Sequence, residues 1–133
     1  MQQPQILDTE TTEMSAVTAA KKFARVIGES RVFQNYEKTL QQLHRDSEAQ
    51  RLLSDYQQAQ ENYQMMQSWG GSTSDDEGQL RMKQTQVLSN PILAAYFQAQ
   101  EELAQTLKEV NVFISEKLGI DFAKSAKPAG GCC

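Results

Sequence analysis

The sequence ends in two cysteines, and they are the only thiols among its 133 residues. Cys132 and Cys133 follow "AKPAGG", which has almost nothing to pack, so we expect both thiols to be exposed. A disulfide between neighbours would close almost no loop and would stabilise little. Two thiolates can form a tetrahedral sulfur site only with a second tail or a partner's cysteines. An unselected chain end is the alternative.

Other residues that carry chemistry are scarce. The single histidine, His44, stands near a predicted helix end, where the helix dipole favours a surface cation. A di-iron site would need Glu-x-x-His motifs from two helices, which one histidine cannot supply. We therefore interpret the glutamates of the last long helix as a solvated face: Glu101, Glu102, Glu109 and Glu116. No P-loop, HExxH, GxSxG or EF-hand pattern is present. The sequence predicts no enzyme.

The length of the chain and its composition, with 39% hydrophobic and 23% charged residues, predict one compact domain of ordinary size. A formal net charge of −4, without a dense Lys/Arg stripe, argues against direct nucleic-acid binding. No apolar stretch approaches the roughly 20 residues that span a bilayer, and the N-terminus does not resemble a signal peptide. We expect a cytoplasmic protein without a transmembrane segment.

Apolar residues recur every three or four positions, and no period-two pattern is sustained, so the sequence predicts an all-α fold. The first helix covers about residues 12–28, and a second, capped by Ser30, runs to Arg45. Asp46 caps a third, which ends near Trp69 before "GGSTSDD". Ser74 and Glu77 have capping-box spacing for a fourth helix.

Asn90 and Pro91 predict the start of a fifth helix, which Gly119 ends. The prediction is a bundle of about five helices with a long antiparallel helical hairpin around "WGGSTSDD". The second arm of this hairpin is jointed at Asn90-Pro91. The domain prediction is a disordered N-terminus at 1–11, one helical domain at 12–122, and a flexible tail at 123–133.

Helices of about 33 to 42 Å are long for a chain of this size, so apolar stripes should stay uncovered in a monomer. We therefore predict self-association into a homodimer or higher oligomer. The candidate interaction residues are Tyr56, Tyr63, Met66, Leu103 and Leu107. Most of the aromatic residues fit a bundle core as well, and the many glutamines suit either a soluble surface or helix docking.

Two long stretches carry a resemblance to a known family. These are "RDSEAQRLLSDYQQAQENYQMMQSWG" and "LSNPILAAYFQAQEELAQTLKEVNVFISEKLGIDF". In the order and spacing of their motifs they resemble the YlbF/YmcA family of small bacterial helical proteins, over about residues 12–122. The resemblance implies an all-helical protein without catalytic activity that tends to self-associate. Ser47 departs from the family, since many members have Pro there.

The resemblance also implies partners and a cofactor. Some members form a complex with other YlbF/YmcA-like proteins and YaaT, influence competence, biofilm and sporulation, and direct RNase Y in messenger-RNA maturation. Iron–sulfur clusters and C-terminal cysteines are associated with that complex. Cys132 and Cys133 are the only residues here that could match, and a four-iron cluster normally needs four ligands. We expect no cofactor in the isolated chain and a cluster shared with another chain.

The leading hypothesis is thus a non-enzymatic adaptor or regulator, an accessory factor of RNase Y-dependent RNA processing. The alternative is a lipid-anchored helical protein, because "GGCC" resembles the doubly prenylated tail of Rab GTPases. Rab-type modification requires a GTPase body, and this chain lacks a P-loop. A thiol redox carrier fits less well, since adjacent cysteines lack the x-x spacer that lowers a thiol pKa.

Overall fold

The structure, a computed structural model, describes residues 7–126, with side chains from residue 15 onward. This part of the chain forms helices and no strand, so the all-α prediction is confirmed. In chain order the helices are α1 (Leu7–Glu29), α2 (Arg31–Arg45), α3 (Ser47–Ser68), α4 (Ser74–Ser89), α5 (Pro91–Leu118) and the short α6 (Phe122–Ser125).

Three single-residue joints divide the helices, and each joint residue caps the helix that follows it. Ser30, Asp46 and Asn90 all have extended backbones. Asp46 Oδ1 accepts a hydrogen bond of 2.8 Å from the Ala49 N–H, and Asn90 Oδ1 accepts from the N–H groups of Ile92 and Leu93 at 3.0 and 3.1 Å. These side chains replace the intrahelical partners that the first amides of a helix lack. The chain therefore changes direction sharply without a loop.

The turn between α3 and α4 differs in detail from its prediction. Gly70 has the left-handed φ of 72° that a glycine adopts without strain. The capping box is formed by Thr73 and Asp76, one position before the predicted Ser74 and Glu77. Thr73 N–H donates to Asp76 Oδ2 at 2.9 Å, and this bond and that of the Thr73 hydroxyl lower the pKa of the Asp76 carboxyl. Glu77 instead pairs with Arg81.

α3 and α4 form an antiparallel hairpin, but α5 does not continue along α3. Lys83 Nζ lies 3.8 Å from Asp55 Oδ2 between the two arms. Beyond Asn90 the chain turns, and α5 packs chiefly against α2, where the Tyr36 and Tyr96 ring centroids are 5.9 Å apart. The prediction placed a joint in the second arm alone. Both arms are jointed, since α2–α3 bend at Asp46 just as α4–α5 bend at Asn90.

The core lies at these two joints. Its buried members are Leu43 and Ala49, which stand three residues before and after Asp46, and Val87 and Leu93, which stand three residues before and after Asn90. Partly buried side chains pack around this cluster: Leu52, Leu53, Tyr56, Ile92, Tyr96 and Phe97. Residues three positions from a bend face into its inner angle, so two bends side by side enclose a compact cluster.

The ends of the chain are less covered. Among the described helices α1 contacts α2 alone, and its side chains from Ser15 to Val26 are exposed. It begins at Leu7, so residues 7–11, predicted to be disordered, are helical. α6 includes residues 123–125 of the predicted tail. Residues 1–6 and 127–133 lie outside the described part, and the predictions for them remain predictions.

Leu93 is fully buried, so replacing Leu93 by Ala should leave a cavity and lower the free energy of unfolding by about 2–5 kcal/mol. Leu88→Ala is the matched control, because Leu88 is 58% exposed and its truncation should change stability by less than about 0.5 kcal/mol. Urea unfolding followed by circular dichroism measures both. Equal losses would contradict the core assignment.

Asp46, the N-cap between α2 and α3, gives a second prediction about stability. Asp46→Ala removes the acceptor for the Ala49 N–H and should lower the free energy of unfolding by about 0.5–2 kcal/mol. Asp46→Asn keeps an acceptor at the same place and should stay close to the wild type. If both variants lose the same stability in thermal unfolding, charge rather than capping is the cause.

Candidate protein-interaction surfaces

The first candidate surface lies on the C-terminal part of α5. This helix has 28 residues and its partner α2 has 15, so about 13 residues, or roughly 20 Å, run on past it. We call this region the α5 end surface: Leu107, Val110, Phe113, Ile114 and Leu118. Leu107, Phe113 and Leu118 are exposed, with Phe113 at 62%. α6 packs against this stretch, and Val110 and Ile114 are half-buried.

The two edges of the α5 end surface differ in character. On one edge, Glu102, Glu109 and Glu116 recur at intervals of seven, close to two helical turns, so they form a row. Gln98 and Gln105 donate hydrogen bonds to the first two carboxylates. This row stands in open solvent and lends the edge negative charge.

The other edge is covered by α6. Gly119, with φ of 69°, reverses the chain after α5. The Ser115 hydroxyl then accepts from the Phe122 N–H and the Asn111 side-chain oxygen accepts from the Ala123 N–H, both at 3.0 Å. These two bonds satisfy amides at the start of α6 and hold it against α5. The acidic edge is therefore the open side of the α5 end surface.

The second candidate surface is on α1. We call it the α1 stripe: Val17, Ala20, Phe23, Ala24 and Ile27. Val17 is 56% exposed and Phe23 is 42% exposed, although both are large apolar side chains. At 100° per residue these positions share one side of the helix, with Lys21 and Arg25 along its edge. Within residues 7–126, α2 is the one helix that contacts α1, so this amphipathic pattern lacks the apolar partner that normally covers such a helix.

The five predicted interaction residues occupy three different environments. Tyr56 packs against the core, and Leu103 is half-buried. Tyr63 and Met66 line a cleft of about 200 Å³ between α3 and α4, and the Tyr63 hydroxyl accepts a hydrogen bond from Gln67. Leu107 lies on the α5 end surface and is 43% exposed. Their roles in binding remain predictions.

Sequence reasoning missed three features of these surfaces. The apolar spacing of α1 was visible, but only the structure shows that, among the described helices, α2 alone contacts α1 and leaves Val17 and Phe23 exposed. Phe113 is 62% exposed, although the apolar spacing of α5 continues through this part of the helix. Trp69 caps α3 at the hairpin tip with 84% exposure. Its place directly before Gly70 and Gly71 was the available signal.

The described residues offer little for metal or membrane chemistry. They contain no group of three or more His, Cys, Asp or Glu side chains able to hold a metal ion. His44 is exposed in the last turn of α2. Cys132 and Cys133 lie outside this part of the chain, and two thiolates do not complete the four-ligand set of a four-iron cluster. No helix in residues 7–126 is long and apolar enough to cross a membrane.

The chain is similar to known proteins in both sequence and fold. The family described as control of competence regulator ComK, YlbF/YmcA, matches residues 17–119. A UPF0342 protein of Desulfitobacterium hafniense (strain Y51) is 29% identical over 115 residues, which cover 86% of this chain and 83% of the relative. A chain in the crystal structure of Bacillus subtilis RicA in complex with RicF has a TM-score of 0.69 and 25% identity, covering 80% of this chain and 95% of that one.

The family match at residues 17–119 includes the second half of α1, all three joints, the hairpin and the whole of α5. These elements build the core and both candidate surfaces. The agreement in fold extends over most of both structures. This chain belongs to the YlbF/YmcA family.

Proposed function

We propose that the protein is a non-enzymatic adaptor that binds copies of itself and other proteins through apolar surfaces at the ends of its helices. The observation that carries this proposal is the α5 end surface, where three large apolar side chains stand in solvent on one helix. Contiguous exposed apolar patches mark protein–protein contacts in soluble proteins. The acidic edge beside the patch provides the polar rim that such contacts usually have.

The comparisons support this class of function and suggest its partners. The family is described by its control of a competence regulator, and the structural neighbour belongs to a complex of two proteins. The proposed partners are other YlbF/YmcA-like proteins and a YaaT-like protein. Through them the chain would act in the cytoplasm as an accessory factor of RNase Y in RNA processing, with effects on competence and biofilm formation.

Phe113→Asp tests the interaction surface. It places a charge in the middle of the exposed patch, so it should abolish self-association, while helix content and thermal stability stay near wild-type values because Phe113 is outside the core. Light scattering at tens of micromolar reports the oligomeric state. Trp69→Asp is the control, since Trp69 is still more exposed but lies at the hairpin tip.

A strictly monomeric wild type at that concentration would overturn the self-association part of the proposal. If Phe113→Asp self-associates as strongly as the wild type, the α5 end surface is not the surface through which the chain self-associates. Reducing agent is present in both measurements, so that the tail thiols do not cross-link the chains.

We also propose that the tail cysteines supply part of the ligand set of an iron–sulfur cluster shared with another chain. Two thiolates per chain suffice when two tails, or one tail and a partner, contribute together. The support is the pair itself, since a disulfide between neighbouring cysteines would close almost no loop and stabilise little. Residues 7–126 contain no group of three or more His, Cys, Asp or Glu side chains that could hold a metal ion.

Changing both Cys132 and Cys133 to Ser should lower the iron and sulfide content of the complex purified anaerobically from the native host. Helix content and self-association should stay unchanged. Unaltered iron and sulfide would exclude the tail as a ligand. The intact mass of the wild-type chain is the accompanying control, because two added lipid chains would instead support membrane anchoring.

A further inference from the structure

We propose that the tip of the α3–α4 hairpin binds an arginine-rich segment of a different protein. The inference rests on the proposed adaptor function, but it uses neither self-association nor the α5 end surface. We call the site the hairpin-tip surface: Met65, Met66 and Trp69, together with the adjoining cleft between α3 and α4. It lies at the end of the hairpin that is remote from the joints at Asp46 and Asn90.

The backbone of the turn holds Trp69 in solvent. Its side chain is 84% exposed, more than any other large apolar side chain in the described part from residue 15 onward. The Gly70 N–H donates to the Gln67 carbonyl at 3.2 Å. The Gly71 N–H donates to the Met66 carbonyl at 2.9 Å. These two bonds close the end of α3 as a Schellman motif. The backbone that carries the indole is therefore already ordered, which lowers the entropic cost of covering it.

Two methionines extend the apolar area beside the indole. Met65 and Met66 precede Trp69 by four and three residues, so the three side chains share one side of α3. Met65 is 56% exposed and Met66 is 41% exposed. Methionine side chains are flexible and adapt to irregular partners. Contiguous exposed apolar side chains of this kind mark contact sites.

Charge selects a basic partner for this surface. Residues 57–80 carry four carboxylates and no Lys, Arg or His: Glu61, Asp75, Asp76 and Glu77. Their charge equals the formal net charge of −4 of the whole chain, so the other residues are neutral on balance. The two bases that follow on α4 lie beside carboxylates, since Arg81 pairs with Glu77 at 3.1 Å and Lys83 Nζ is 3.8 Å from Asp55. The end of the hairpin therefore attracts cations.

The cleft beside the tip fits one long cationic side chain. Its volume of about 200 Å³ is below the roughly 300–1,000 Å³ of small-molecule pockets. Met66 and Leu80 supply apolar walls, and Asp76 supplies a carboxylate. Within residues 7–126, the bonds from Thr73 to this carboxylate both end on Oδ2, so Oδ1 is open to a ligand. A side chain with an apolar stem and a cationic end matches this lining.

Arginine fits the hairpin-tip surface better than lysine does. A guanidinium is planar and weakly hydrated, and it stacks on aromatic rings, among which the indole binds cations best. It also forms two parallel hydrogen bonds with a carboxylate. The five arginines of this chain lie on helices, at least six residues apart. An arginine-rich segment must therefore come from a different protein.

Peptide binding tests the inference directly. Trp69 is the single tryptophan of the chain, so its fluorescence reports contact at the tip without a label. The probe is a short synthetic peptide in which arginines alternate with glycines, and the matched peptides carry lysine or neutral citrulline instead. The arginine peptide should change Trp69 fluorescence at low salt and bind about two- to fivefold more tightly than the lysine peptide. The citrulline peptide should not bind, and added salt should weaken binding of the other two because ions screen charges.

Two variants with matched controls locate the contact, with binding followed by the anisotropy of a labelled arginine peptide. Trp69→Ala should weaken binding about two- to fivefold, and Trp69→Phe, which keeps a ring, should lose less. Leu88→Ala removes an exposed apolar side chain from the other end of the hairpin and should have no effect. Gln79→Lys puts a cation of the chain's own into the cleft and should also weaken binding. Gln84→Lys adds the same charge on α4 outside the cleft and should weaken it less.

Four outcomes overturn the inference. If Trp69→Ala binds the arginine peptide as tightly as the wild type, the attraction is one of net charge alone. If phosphatidylcholine vesicles change Trp69 fluorescence and the peptide does not, the tip contacts a lipid surface. If Trp69→Ala lowers self-association in light scattering, the tip is a contact between copies. If the wild type self-associates, Phe113→Asp does not, and no peptide binds, the proposed function stands and this inference alone fails.

Discussion

The structure depends on two capped bends that lie side by side. Asp46 and Asn90 each end one helix and begin the next within a single residue, and each binds the amide three positions ahead. The residues three positions before and after these caps are the four buried residues of the core cluster. One constraint, a side-chain acceptor on an extended residue, therefore sets the directions of four helices and brings their apolar residues together.

Local chemistry was enough to predict most of the elements. Asp46, the Asn90-Pro91 pair and Gly119 act where the sequence placed them, because capping and helix termination depend on residues within one turn. The Thr73 and Asp76 box was missed by one position, since Thr73 and Ser74 are both good caps and only the structure shows which one bonds. The tertiary pairing was harder, because all the helices carry similar apolar stripes.

The same limit applies to the candidate surfaces. Leu107 and the apolar spacing of α1 were both visible in the sequence. However, an apolar stripe has the same sequence pattern whether its own chain or another molecule covers it. Exposure distinguishes the two cases, and exposure follows from the lengths and directions of α2 and α5. The spacing of apolar residues does not predict the lengths and directions of these helices precisely enough, because a single capping residue redirects an entire helix.

The core thus sits at the bends and the candidate surfaces lie at the helix ends, so the two sets of residues share almost no members. This separation has an evolutionary consequence. Substitutions along α1 and the outer part of α5 leave the buried residues at the bends unchanged, so the candidate surfaces can vary while the bends keep folding in the same way. Such an arrangement suits gene duplication, in which copies retain one architecture, diverge at their edges and come to recognise one another. A relative 25% identical that still superimposes over most of this chain fits that history.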